Sequence, residues 1–125
     1  MDKLFRHTHL KINLDNLIHN VNEIKKFIKK DVWIGTVLKA DAYGHGAKEV
    51  ASTLFNNGFN YFLVSTLLEA LELKISNKNY NVFIMGHTPD EYLEEIVNTD
   101  LICTILLIYL DKKIRINIIL DLRII

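Results

Sequence analysis

Very little in this sequence cross-links, punctuates or charges the chain in one direction. Its 125 residues include one cysteine, one proline and five glycines. A single thiol, Cys103, excludes an internal disulfide framework and fits a reducing compartment. Charge of one sign is absent too, since 15 Lys and Arg are balanced by 15 Asp and Glu. Chains that grip nucleic acid normally carry a net basic balance or patch, so that class is set aside. The start, Met1-Asp2-Lys3-Leu4-Phe5-Arg6-His7, has no apolar stretch of signal-peptide length, and a cytoplasmic globular protein is the expectation. The longest apolar run, residues 101–110, is about half of the roughly 20 residues that a membrane span needs. The length suits one ordinary domain.

What is abundant is Ile, Lys and Asn, with 17, 12 and 12 copies. All three have A/T-rich codons, so a lone Asn or Lys carries little functional weight. The elements are read from periodicity instead. Residues 9–14 alternate partly and predict a short strand, after which Asp15 is placed to cap a helix. Leu17, Val21, Ile24, Phe27 and Ile28 form that helix's apolar stripe, and four lysines cluster towards its end. Residues 32–38 are apolar and β-branched without strict alternation, as in a strand buried on both faces. A second helix carries Ala47, Val50, Ala51, Leu54 and Phe55 and stops near Asn56-Asn57-Gly58. A strand at 61–64, a helix at 67–73 and a strand at 82–85 ending on Gly86 come next. Thr88, Pro89 and Glu91 then predict a capped helix with Leu93, Ile96 and Val97 on its stripe, before a strand at 101–105. Strand and helix thus alternate every 20 to 30 residues. That rhythm predicts βαβ units in a parallel α/β sheet or barrel.

One segment bears chemistry: Lys39-Ala40-Asp41-Ala42-Tyr43-Gly44-His45-Gly46, directly after the strand at 32–38. Residues at the carboxyl ends of parallel strands face the ligand side of α/β folds. A lysine there is a candidate nucleophile, because a desolvated amine loses preference for its charged form. An amine that condenses with an aldehyde is also how pyridoxal phosphate is anchored. Gly44 and Gly46 allow a tight turn, and Tyr43 offers a hydroxyl suited to a phosphate oxygen. On spacing alone the same residues also fit a plain strand-to-helix loop with a snorkelling lysine. His7 and His9 lack the Cys or carboxylate support of a metal site, so no metal is expected.

The octapeptide resembles the pyridoxal-phosphate attachment motif of the alanine racemase family. Three further stretches share the likeness: Lys11-Ile12-Asn13-Leu14-Asp15-Asn16-Leu17-Ile18-His19-Asn20, Glu69-Ala70-Leu71-Glu72-Leu73 and Ile84-Met85-Gly86. The resemblance implies the amino-terminal portion of a (β/α)8 TIM-type barrel, without the carboxyl-terminal β domain. It implies a racemase interconverting L- and D-alanine with pyridoxal 5'-phosphate, supplying D-alanine for cell-wall peptidoglycan. Lys39 would hold the cofactor and act as the base on one face of the alanine Cα, and Tyr43 would bind the cofactor phosphate. No role is carried over to Asp41, and His45 is read as opening the next helix. The opposite-face base would be a tyrosine from the partner subunit of a homodimer, so the 125 residues alone are expected to be inactive. The alternatives are a non-catalytic truncated or decayed product, and a related racemase of other amino-acid specificity. Residues 1–105 are assigned to the barrel portion. Residues 106–125 depart from the family: from Leu101 on, 15 of 25 residues are Ile or Leu, which fits a frame-shifted ending, with a natural amphipathic or strand-forming end as the alternative.

Overall fold

A computed structural model describes residues 8–104. The expectations for His7 and for the 106–125 tail therefore lie outside the described residues, as does the last residue of the strand expected at 101–105. Four strands form one sheet in the order β1 (Gly35–Val37), β2 (Tyr61–Val64), β3 (Asn81–Ile84) and β4 (Ile102–Cys103), every pairing parallel. A doubly wound sheet reverses its strand order at a switch point, whereas a barrel adds each strand beside the last. The unbroken order is the barrel's, and the expected α/β barrel portion is what the chain forms.

Side chains alternate along each strand, so the sheet has two unlike faces. Phe62, Val64, Val82 and Ile84 point to one face and are fully buried. Helices α3 (Ala47–Asn56) and α4 (Leu67–Ser76) cover that face through Val50, Ala51, Leu54, Ala70 and Leu73. Each large side chain buried this way contributes about 1.5–3 kcal/mol. Tyr80 closes the layer edge-on against Phe55 and Phe62, with ring centroids 5.2 and 4.9 Å away. On the other face Val37, Leu63 and Phe83 lie in register and stay half-buried. At the amino-terminal end of that face Trp33 stacks on Tyr61 at 4.4 Å.

Several expected boundaries move. Residues 9–14 form no strand; α1 (Leu14–Lys25) begins there instead, capped by Asn13 rather than Asp15. The Asn13 side chain accepts from the Asp15 and Asn16 N–H groups at 3.0 and 3.2 Å, leaving Asp15 inside the first turn. Helix α1 then ends at Lys25, so its core-facing stripe is Leu14, Leu17, Ile18 and Val21, while Ile24 and Phe27 are exposed. Helix α3 keeps its expected stripe and stop. Helix α4 runs past Leu73 to Ser76.

Thr88 does not cap the next helix. Pro89 has no N–H to give, and a 3₁₀ turn at Asp90–Tyr92 intervenes before α5 (Leu93–Asn98). Leu93 and Ile96 face the core, but Val97 is exposed. Gly86, two residues past the end of β3, makes a close approach: a Cβ there would stand 2.2 Å from the Ser65 carbonyl oxygen. The loops leaving β2 and β3 thus touch backbone to backbone.

Candidate active site

Lys39 stands one residue beyond Leu38, whose N–H donates to the Leu63 carbonyl at 2.8 Å and so extends the β1–β2 pairing. The lysine is therefore delivered to the carboxyl-terminal end of the parallel strands, as its place in the sequence implies. The chain beyond it is not the irregular loop expected there. Residues Lys39–Gly44 form a single helical turn (α2) in which Ala40, Asp41, Ala42 and Tyr43 have φ between 52 and 56°. Four consecutive L-residues in the left-handed region cost about 1–2 kcal/mol each. Such a turn persists only where its surroundings over-determine it.

Local hydrogen bonds supply part of the restraint. The Ala42 N–H donates to the Leu38 carbonyl at 2.9 Å, and the Gly46 N–H to the Asp41 carbonyl at 3.0 Å. Gly44 and Gly46 carry φ of 83 and 87°, so each leaves the turn in a conformation that favours glycine. Ala42 is buried and pins the turn to the core. Asp41, to which the resemblance gives no role, ties the turn to α3: its carboxylate accepts from the Ala47 N–H at 2.7 Å. His45 precedes α3 as expected, and its Nδ1 lies 2.9 Å from the Ala42 carbonyl oxygen.

The remaining restraint comes from a distant residue. One carboxylate oxygen of Glu69 accepts from the Ala40 N–H at 2.8 Å. The other accepts from Ser65 and Thr66 N–H groups at 2.8 and 3.0 Å. The Thr66 hydroxyl accepts in return from the Glu69 N–H at 3.3 Å, completing a capping box on α4. Partial burial pushes the Glu69 carboxyl up, but these donated hydrogen bonds outweigh it and hold the group below its ordinary value of 4.5. The Thr66–Glu69 spacing is a capping-box signal that sequence carries; the reach to Ala40 is not.

The two residues that stand out in the sequence come together. The Lys39 Nζ stands 6.0 Å from the centre of the Tyr43 ring. Lys39 is half-buried and Tyr43 mostly exposed. Among the described residues the Lys39 amine has neither a carboxylate partner nor a hydrogen bond. A cavity of about 500 Å³ lies beside the turn and is walled by Tyr43, His45, Thr36 and Asn16, but not by Lys39. The donor set fits an aldehyde-bearing phosphate cofactor in kind: an unengaged primary amine for the aldehyde and a phenol hydroxyl on the same turn for an anionic oxygen. Among the described residues no three His, Cys, Asp or Glu side chains gather as metal ligands, and no helix is long and apolar enough to cross a membrane.

Residues 12–107 match the family described as "Alanine racemase, N-terminal domain". Alanine racemase 1 of Caldanaerobacter subterraneus subsp. tengcongensis is 45% identical over 100 residues, which cover 80% of this chain and 26% of that protein. The alanine racemase of Clostridium kluyveri is 40% identical over 121 residues, covering 88% and 31%. The chain therefore spans about a quarter to a third of these relatives. Among solved structures, the alanine racemase of Clostridium difficile 630 superposes with a TM-score of 0.71 at 40% identity, over 75% of this chain and 25% of that one. That of Bartonella henselae "with covalently bound pyridoxal phosphate" does so with a TM-score of 0.67 at 26% identity, over 74% and 26%.

Proposed function

Because the chain belongs to the alanine racemase family, through the amino-terminal domain, we propose that its Lys39 turn anchors pyridoxal 5'-phosphate for the interconversion of L- and D-alanine. The observation that carries this reading is the turn itself. A costly left-handed helix presents an amine that has no charge partner among the described residues, at the ends of four parallel strands and with the Tyr43 ring beside it. When bound, pyridoxal phosphate supplies the electron sink that stabilises negative charge at the substrate Cα.

The chain's own residues have separate tasks. The Lys39 Nζ would hold the cofactor at its aldehyde end and, with alanine bound, would remove or return the Cα proton on one face. Tyr43 donates its hydroxyl to a phosphate oxygen, which fixes the far end of the cofactor relative to that amine. The backbone of the turn holds both side chains in one rigid unit. Inverting a centre needs a second base on the opposite face. In this proposal a tyrosine of a partner subunit supplies it, from outside the quarter to third of the relatives' length that this chain spans.

Incubation with pyridoxal phosphate, borohydride reduction and peptide mapping test the anchor. The expected result is a phosphopyridoxyl group on Lys39 that disappears in Lys39→Ala. A label distributed over surface lysines such as Lys48 and Lys78, with none on Lys39, overturns the assignment.

A further inference from the structure

The Ala40–Glu69 hydrogen bond joins positions 29 residues apart, while the other hydrogen bonds of the left-handed turn are local. A carboxylate capping its own helix would need only the Thr66 N–H. This one engages Ser65 and Ala40 as well, and it divides its oxygens between the two sides. We propose that Glu69 is a positioning residue, which fastens the Ala40–Tyr43 turn to the carboxyl end of β2 and thereby sets where the Lys39 amine stands. Its relevance to catalysis rests on Lys39 being the anchor; the clamp itself is a property of the backbone.

The chemistry demands a carboxylate. Three N–H groups converge on Glu69 from two directions, and both oxygens must accept. A glutamine has one acceptor oxygen and presents an N–H₂ to the other side, so it drops one of the two sets. Hydrogen bonds to an ionised acceptor are roughly twice as strong as neutral ones. Among the described residues the charged groups that line the same cleft as Glu69 are Asp41, Lys48, Glu49 and Glu72. A pH effect belongs to Glu69 only if Glu69→Gln removes it.

The test uses the full chain and two readouts: hydrogen exchange at the Ala40 amide, and the rate of pyridoxal phosphate attachment to Lys39 after borohydride trapping. Glu69→Gln is expected to speed Ala40 exchange on the order of tenfold or more and to slow Lys39 labelling on a similar scale. Thr66→Ala removes the hydroxyl cap but leaves the clamp, and is expected to leave both readouts near wild type. The proposal is overturned if Glu69→Gln changes neither readout, or if Thr66→Ala reproduces both changes. If the wild-type chain takes no label on Lys39 while Glu69→Gln still frees Ala40, the clamp stands and the anchor reading fails. Should Glu69→Gln not fold, Glu69→Asp takes its place. One methylene shorter, its carboxylate cannot serve both the Ala40 N–H and the Ser65 and Thr66 N–H groups. Ala40 exchange is therefore expected to quicken, and unchanged exchange overturns the clamp.

Discussion

The chain leaves β1 and β2 for the same destination, a helix packed on the covered face of the sheet, by two different routes. After β2 it needs only Ser65 and Thr66, and the helix starts behind an ordinary capping box. After β1 it takes Leu38 to Gly46, including four residues in the left-handed region, before α3 begins. Both routes make the connection, but only the long one is strained. Connection therefore does not explain the strain, and what the long route adds is a fixed place for Lys39 and Tyr43. The comparison also shows how the strain is held: the short turn shares its capping carboxylate with the strained one.

Three tests would break or sharpen that contrast. The largest effect is expected from Gly86→Ala, because its Cβ would meet the Ser65 carbonyl oxygen at 2.2 Å and backbone cannot swing away as a side chain can. Overpacking of this kind costs about 1–3 kcal/mol, and urea denaturation should place the loss at the upper end. Next comes a pair of glycine substitutions with opposite signs. Ala40→Gly relieves a left-handed residue and should stabilise by about 0.5–1 kcal/mol, whereas Glu72→Gly in the regular α4 should destabilise by a similar amount. Equal losses in both would show that the turn is not strained. The smallest effect is a pH slope. Glu69 is held below its ordinary value of 4.5, so its contribution is full above that value and is lost as pH falls through the lowered one. Stability measured by denaturant from pH 6 downwards should therefore decline, and less steeply in Glu69→Gln.

The sequence makes some of this legible and hides the rest for definite reasons. Helix α3 is readable because Val50, Ala51 and Leu54 face one way at helical spacing and are all buried. Strands β2 and β3 are readable as short apolar runs between turn residues. The strand expected at 9–14 shows the limit of alternation, which marks a face but not a partner, and these residues join no sheet among the described residues. Thr88 matches a capping pattern, yet its hydroxyl is buried and has no partner among the described residues, because Pro89 and the 3₁₀ turn put no helical N–H within reach. The handedness of α2 is hidden most deeply. Alanine and tyrosine do not favour the left-handed region, aspartate enters it only as a single residue, and apolar periodicity carries no sign of hand. That hand is imposed by Ala42 burial, Asp41 and the distant Glu69, of which only the last leaves a trace, in its spacing from Thr66.

The approach of Gly86 to Ser65 has a consequence for where the amine sits. The Gly86 backbone leans on the Ser65 carbonyl, the Ser65 N–H on Glu69, and Glu69 on Ala40, beside Lys39. Three successive strand ends are thus joined in series, like gauge blocks whose errors add. Lys39 inherits its coordinates partly from loops one and two strands away, and a small shift in the third loop reappears at the first. A mutation search confined to the neighbours of Lys39 would miss this source of misalignment altogether.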